Sequence, residues 1–305
     1  MSRRIGPLGS RLLVSGLAAV LLAPAVAGCS TAAVADGKIH AVAGENFYGD
    51  AISRIGGDLV SVTSILNDPN VDPHTYESSV QSAEQVADAA LVVENGLGYD
   101  AFLDHLMSAS PAGGRKVVDV QQLLGLPDGS NPHVWYDPAT LPKVARAVAV
   151  ELEAIQPAST TTFEANLAEY LASFAPLTSK LEEVKARYSG TPVSYTESVA
   201  GYMLAALDFK VLTPAGFARA IEDGTDPSAT DVAAEQDLLT GREVKLLIYN
   251  DQATTPVTES AKALAGQSGV PVVGVSETMP GRASGYVGWQ LAQLNAIESA
   301  LGGGQ

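Results

Sequence analysis

The stretch PASTTTFEANLAEYLASFAPLTSKLEEVKARY, residues 157–188, decides how the chain is organised. Apolar side chains recur in it at Phe163, Leu167, Tyr170, Leu171, Phe174, Leu177, Leu181, Val184 and Tyr188, with charges between them. Steps of three and four sustained over about 32 residues predict one amphipathic helix, roughly 48 Å long at 1.5 Å per residue. That is longer than either flank needs for its own packing, so the segment reads as a strut joining two lobes. Pro176 removes one backbone hydrogen bond and is expected to kink the rod or split it in two.

Outside the strut the chain alternates two periods. Short apolar runs at 59–66, 89–93, 116–120, 193–195, 211–213, 244–249 and 271–275 read as buried strands. Between them, 50–55, 77–86, 101–107, 230–239, 258–265 and 286–301 carry helical spacing. Alternating strands and helices predict parallel sheets covered by helices. The expected class is α/β with two Rossmann-like lobes, each a parallel-rich sheet, in residues 29–156 and 190–305, joined by one long helical linker at 157–189.

Residues 1–28 read as a segment that is removed. Arg3, Arg4 and Arg11 precede an apolar run from Leu12 to Val26 that ends at Val26-Ala-Gly-Cys29. A basic start, an apolar centre and small residues before a cut make a signal peptide, and Pro24 breaks a run already short of the ~20 residues needed to span a bilayer. The last residues resemble the lipobox of bacterial lipoproteins, which implies cleavage before Cys29 and lipid attachment to it. Cys29 is the only cysteine, so no disulfide framework is possible. Removal of 1–28 leaves 277 residues with 15 basic and 34 acidic side chains, net −19. That charge opposes nucleic acid and an anionic membrane face, so acyl chains would have to hold the protein at the membrane.

The candidate chemistry lies in loops. Asn131-Pro-His-Val-Trp-Tyr-Asp-Pro138 joins a potential metal ligand to a helix start, with Asp137 placed to cap and Pro138 at the first helical position. Val71-Asp-Pro-His-Thr-Tyr-Glu77 echoes it, again ahead of a helical run that begins near Ser78. Proline fixes its own φ and pushes the preceding residue to an extended conformation, so His74 and His133 sit on stiff backbone, as a metal site requires. Both follow predicted strands, as do Glu197 and Glu277, and ligand sites in parallel sheets gather at carboxyl ends of strands. His40 and His105 lack such a setting. Gly96-x-Gly98-x-x-Ala101, with Asp119 further on, meets the spacing of a dinucleotide fingerprint. Asp100 and Glu94 oppose an anion there, so the glycines read as turn residues.

Taken together these features resemble the zinc/manganese family of solute-binding lipoproteins that serve ABC importers. The resemblance spans the mature chain and is carried in order by Glu45-Asn-Phe-Tyr-Gly49, Ile55-Gly-Gly-Asp58, Asp72-Pro-His74, Glu94-Asn-Gly-Leu-Gly-Tyr99, Asn131 to Pro138, Tyr195-Thr-Glu197 and Val273-Gly-Val-Ser-Glu-Thr-Met-Pro280. It implies two small α/β lobes joined by a long helix, with one divalent ion, Mn²⁺ or Zn²⁺, held between them as cargo. Family ligands come two from each lobe and fall on His74, His133, Glu197 and Glu277. The fourth is usually aspartate, so Glu277 departs by one methylene. Without the resemblance, Glu197 is also placed to cap a helix near Ser198, and Glu277 to be a solvated loop acid. Asn250 ends a strand in the second lobe, either as a turn residue or as a donor orienting a ligand carboxylate.

Two imidazoles and two carboxylates form a harder site than three histidines and suit manganese or iron, with manganese preferred here, although the affinity order favours zinc at almost any such site. The resemblance also implies an ABC permease and its ATPase as partners, a location outside the cytoplasm on the cell membrane through the lipid anchor, and a monomer that is no enzyme. A metal-dependent hydrolase would leave a coordination position open for water, whereas here four side chains can close the site. Neither H-E-x-x-H nor G-x-S-x-G occurs. A surface adhesin is a third class, with no repeat or low-complexity module to support it.

Overall fold

The computed structural model describes residues 37–281 and 283–302. Cys29 and the expected signal segment, 1–28, lie outside these residues. The first half runs β1 (Ile39–Glu45), α1 (Asn46–Gly56), β2 (Val60–Leu66), α2 (Val80–Asp88), β3 (Leu91–Glu94), α3 (Ala101–Ala109), β4 (Lys116–Asp119), α4 (Val120–Leu124) and α5 (Thr140–Ile155). Two central helices follow, α6 (Thr160–Ala172) and α7 (Ala175–Tyr188). The second half runs β5 (Pro192–Tyr195), α8 (Gly201–Ala206), β6 (Lys210–Val211), α9 (Ala215–Glu222), α10 (Ala229–Thr240), β7 (Leu247–Asn250), α11 (Pro256–Ser268), β8 (Val272–Val275) and α12 (Gly285–Gly302).

Each half forms a four-stranded sheet, in the orders β2-β1-β3-β4 and β6-β5-β7-β8, and every pairing is parallel. The two orders are the same topology used twice. Strands β3 and β7 are buried along their whole length, which is why they read as unbroken apolar runs rather than alternating ones. In each sheet the connections reverse between the first and third strands, leaving a crevice at their carboxyl ends. Local signals set the boundaries. Ser79 accepts from the Ser82 amide at the start of α2, and Thr255 and Thr258 form a reciprocal capping box at α11, where Pro256 fills the first turn.

The central rod is split. Ser173 and Phe174 keep near-helical backbone angles but form a turn, and Pro176 lies in the first turn of α7. Lacking an N–H, Pro176 gives the Ala172 carbonyl no partner, and its ring disfavours a continuous helix through the preceding turn. The two pieces pack differently, α6 on α1 and α5, and α7 on α12. Nor is the rod the sole connection between the sheets. Helix α12 returns to the first half, where Tyr286 donates to the Trp135 carbonyl at 2.6 Å and its amide donates to Asp50 at 3.1 Å. Phe47 stacks between Trp135 and Trp289 with centroids 4.6 and 6.0 Å away. One apolar core therefore draws on both sheets.

Candidate metal centre

His74 and His133 are placed by the same local device. The Asp72 carboxylate accepts from the His74 amide at 2.9 Å, and the Asn131 carbonyl oxygen accepts from the His133 amide at 2.9 Å. Each Asx-Pro-His triplet thus folds a side chain back onto its own backbone, and the intervening proline narrows what remains. The expected α5 start at Pro138 is displaced. The helix begins at Thr140, Asp137 instead accepts from the Ala139 amide, and a short 3-10 turn at Val134–Tyr136 follows His133 directly.

Asn131 does more than hold backbone. Its Oδ1 also lies 2.8 Å from His133 Nδ1, which places a proton on Nδ1 and turns Nε2 toward the cleft. Its Nδ2 donates to the Ser198 carbonyl of the second lobe at 2.8 Å. Glu197 and Glu277 each follow the last residue of a strand, β5 and β8, by two positions. Glu197 makes no capping bond to the turn that follows it. Both are buried, at 1 and 0 % exposure, so Glu277 is not a solvated loop acid.

The four side chains converge. One donor atom from each of His74, His133, Glu197 and Glu277 lies within 4.8 Å of the other three. His74 Nε2 is 3.5 Å from Glu197 Oε1 and 3.4 Å from Glu277 Oε2, and His133 Nε2 is 3.3 Å from the same Glu277 oxygen. An ion bound tetrahedrally at ~2.1 Å holds its ligand atoms roughly 3.4 Å apart, so the spacing fits a divalent ion. Glu197 Oε1 is buried, with His74 Nε2 3.5 Å away. Such an acceptor is costly unless something electropositive meets it. His40 and His105 take no part in the cluster.

Asn250 stands behind both carboxylates, its Nδ2 donating to Glu197 at 2.5 Å and to Glu277 at 2.8 Å. Its own oxygen accepts from the Gln252 amide at 3.1 Å, which orients the group. Tyr99 donates to Glu277 Oε2 at 2.8 Å and sets its ring edge-on to both imidazoles, 5.5 and 5.8 Å away. Burial and the nearby Glu277 charge push the Tyr99 hydroxyl well above its usual range, so it remains a donor. Although burial alone lowers His74, its bonds to Glu197 and Glu277 outweigh that and raise it to about 11. Glu277, despite burial, is held well below the carboxylate range by His133 and His74.

Tyr99 and Asn131 carry the resemblance in sequence, but no role follows from sequence for either. Asn131 was detectable as half of a repeated Asx-Pro-His spacing. Tyr99 follows the glycine turn, where Gly96, Leu97 and Gly98 all have positive φ. Asp100 accepts from the amides of Asn95 and Gly96 at 2.6 and 2.9 Å, occupying the donors that a pyrophosphate would need.

The profile of the family described as the periplasmic component A of zinc-uptake complexes matches residues 42–300. The manganese-binding lipoprotein MntA of Bacillus subtilis is 24% identical over 93% of this chain and 98% of its own. The zinc-binding lipoprotein AdcA of Streptococcus pneumoniae is 22% identical over 83% of this chain, which spans only 53% of AdcA. The solved periplasmic zinc-binding protein TroA of Treponema pallidum superposes with a TM-score of 0.74 at 22% identity, over 87% of this chain and 99% of TroA.

Proposed function

The chain belongs to the family of periplasmic component A proteins of zinc-uptake complexes, and from that premise we propose that it captures one divalent transition-metal ion between its lobes and delivers it to an ABC permease. The observation that carries the proposal is the convergence of one ligand atom from each of His74, His133, Glu197 and Glu277 within 4.8 Å of one another. Four protein donors close the ion's coordination, which suits a carrier and leaves no position for an activated water. The lobes are 29–156 and 190–305, with 157–189 between them. The protein acts outside the cytoplasm as a monomer, anchored through lipid on Cys29.

Relatives named for manganese and for zinc are similar at nearly equal identity, so the choice of ion rests on the donors. Two carboxylates with two imidazoles favour manganese relative to a three-histidine site. Metal analysis of protein purified without chelator or nickel should find about one equivalent of Mn²⁺ or Zn²⁺. Alanine at any of the four ligands should weaken binding sharply, whereas His40→Ala and His105→Ala should not. Glu197→His should shift relative preference toward zinc. Protein that retains neither ion, or ligand variants that bind like the parent, would overturn the proposal.

A further inference from the structure

Resting on the reading that this centre holds the cargo ion, we infer that Gln252 is a positioning residue that ties the loop carrying His74 to the second lobe and so sets how long the ion stays bound. The four ligands are not equally committed. The His74 side chain is 30% exposed, while those of His133, Glu197 and Glu277 are fully buried. Withdrawal of His74 therefore opens the coordination shell to water, whereas moving any other ligand disrupts buried packing. Its loop, residues 67–79 between β2 and α2, has open space on two sides. A cavity of about 240 Å³ lies between Leu66, Val71, Tyr76 and Thr278. A groove of about 820 Å³ runs past Pro69 and Asn70 along β8 and α12.

Across that space Gln252, itself 8% exposed, uses every polar atom of its side chain. Its Oε1 accepts from the amides of Glu277 and Thr278 at 2.6 and 2.9 Å. Its Nε2 donates to Thr278 Oγ1 at 2.9 Å and to the Val71 carbonyl at 2.8 Å. One amide thus joins the Glu277 backbone to the loop of His74, and its own N–H orients Asn250. Apart from His74 itself, a further tie from this lobe to the loop among the described residues, Thr278 Oγ1 to the Asp68 carbonyl, is long at 3.4 Å and correspondingly weak. Losing the Gln252 tie frees the loop without removing a ligand, so the effect belongs in the rate of release.

The full chain loaded with Zn²⁺, and separately with Mn²⁺, is mixed with excess EDTA in a stopped-flow instrument. Gln252→Ala should release the ion on the order of tenfold faster, the factor that one hydrogen bond supports. Gln252→Glu keeps the size and the acceptor, loses the donor, and carries the same expectation if the alanine variant does not fold. Asp50→Ala, which removes an inter-lobe bond at α12, should leave the rate unchanged. Hydrogen exchange with Zn²⁺ bound separates the loop from the fold: Gln252→Ala should speed exchange within 68–76 and leave β5 to β8 protected. Unchanged release in both Gln252 variants, or protection lost throughout the second lobe, overturns the inference. A parent that retains neither ion sinks the reading of the centre itself.

Discussion

Asn250 donates both hydrogens of one nitrogen to two buried carboxylates, Glu197 and Glu277, that would otherwise face each other across the cluster. Asn250→Ala leaves both acids short of a donor and free to turn, so affinity for Mn²⁺ and Zn²⁺ should fall about 10- to 100-fold in a competition titration; an unchanged Kd would remove Asn250 from any orienting role. His74 supplies a second test at this scale. Its pKa is raised from 6.5 to about 11 by its bonds to the two carboxylates. The stability from that pairing is complete below the unfolded value and is lost as pH rises through the folded one. Binding an ion requires the neutral imidazole, so loading near pH 7.5 should release close to one proton from His74. An imidazole at 6.5 would release roughly 0.1. Calorimetry in buffers of different ionisation heat measures the difference.

The division of the central rod into α6 and α7 gives each piece a separate partner. Phe163 on α6 is completely buried, in the face that meets α1 and α5. Phe163→Ala should cost about 3–5 kcal/mol by leaving a cavity in the shared core, read as a lower melting temperature with the ion's release rate unaltered. Pro176 acts differently. It sits in the first turn of α7, where a missing N–H costs nothing, so Pro176→Ala should destabilise by only about 0.4–1 kcal/mol through the greater freedom of the unfolded chain. A cost for Pro176→Ala as large as that for Phe163→Ala would mean that the turn at Ser173–Phe174 depends on the ring itself.

Across the whole molecule the lobes are held by bonds that need no metal. The Tyr136 hydroxyl donates to the Ser276 carbonyl at 2.7 Å and lies 2.8 Å from the Gln293 side chain. Asn46 exchanges two hydrogen bonds with the Met279 backbone, at 2.8 and 2.9 Å. With the aromatic packing around Phe47, these ties leave room for loop movement but little for lobe rotation. Solution scattering with and without Mn²⁺ should therefore give nearly the same radius of gyration, and a marked compaction would count against the shared core. The ion should still stabilise the fold, since it joins ligands from both halves. At a thousandfold excess over Kd the linkage is worth about 4 kcal/mol, visible as a raised melting temperature that disappears on acidification as protons compete with the ion for its ligands.

Periodicity, caps and turn residues act over a few positions, and what depends on them was legible in the sequence. The parallel sheets, most of the helices and the stiff settings of His74 and His133 belong to that class. Glu197 and Glu277 were reachable only as acids just past predicted strands, and the family resemblance chose them over the other carboxylates. Strand β1 and the short helices α4, α8 and α9 were not read, β6 was expected at 211–213 and lies at Lys210–Val211, and the split between α6 and α7 is one of the two outcomes that Pro176 predicts. Tertiary structure alone decided that α12 packs back against α1 of the first half, that Tyr99 reaches Glu277 across 178 positions, and that Gln252 meets the loop of His74. Such contacts join segments that become neighbours only when both halves pack onto one core. No local pattern in either segment encodes the other.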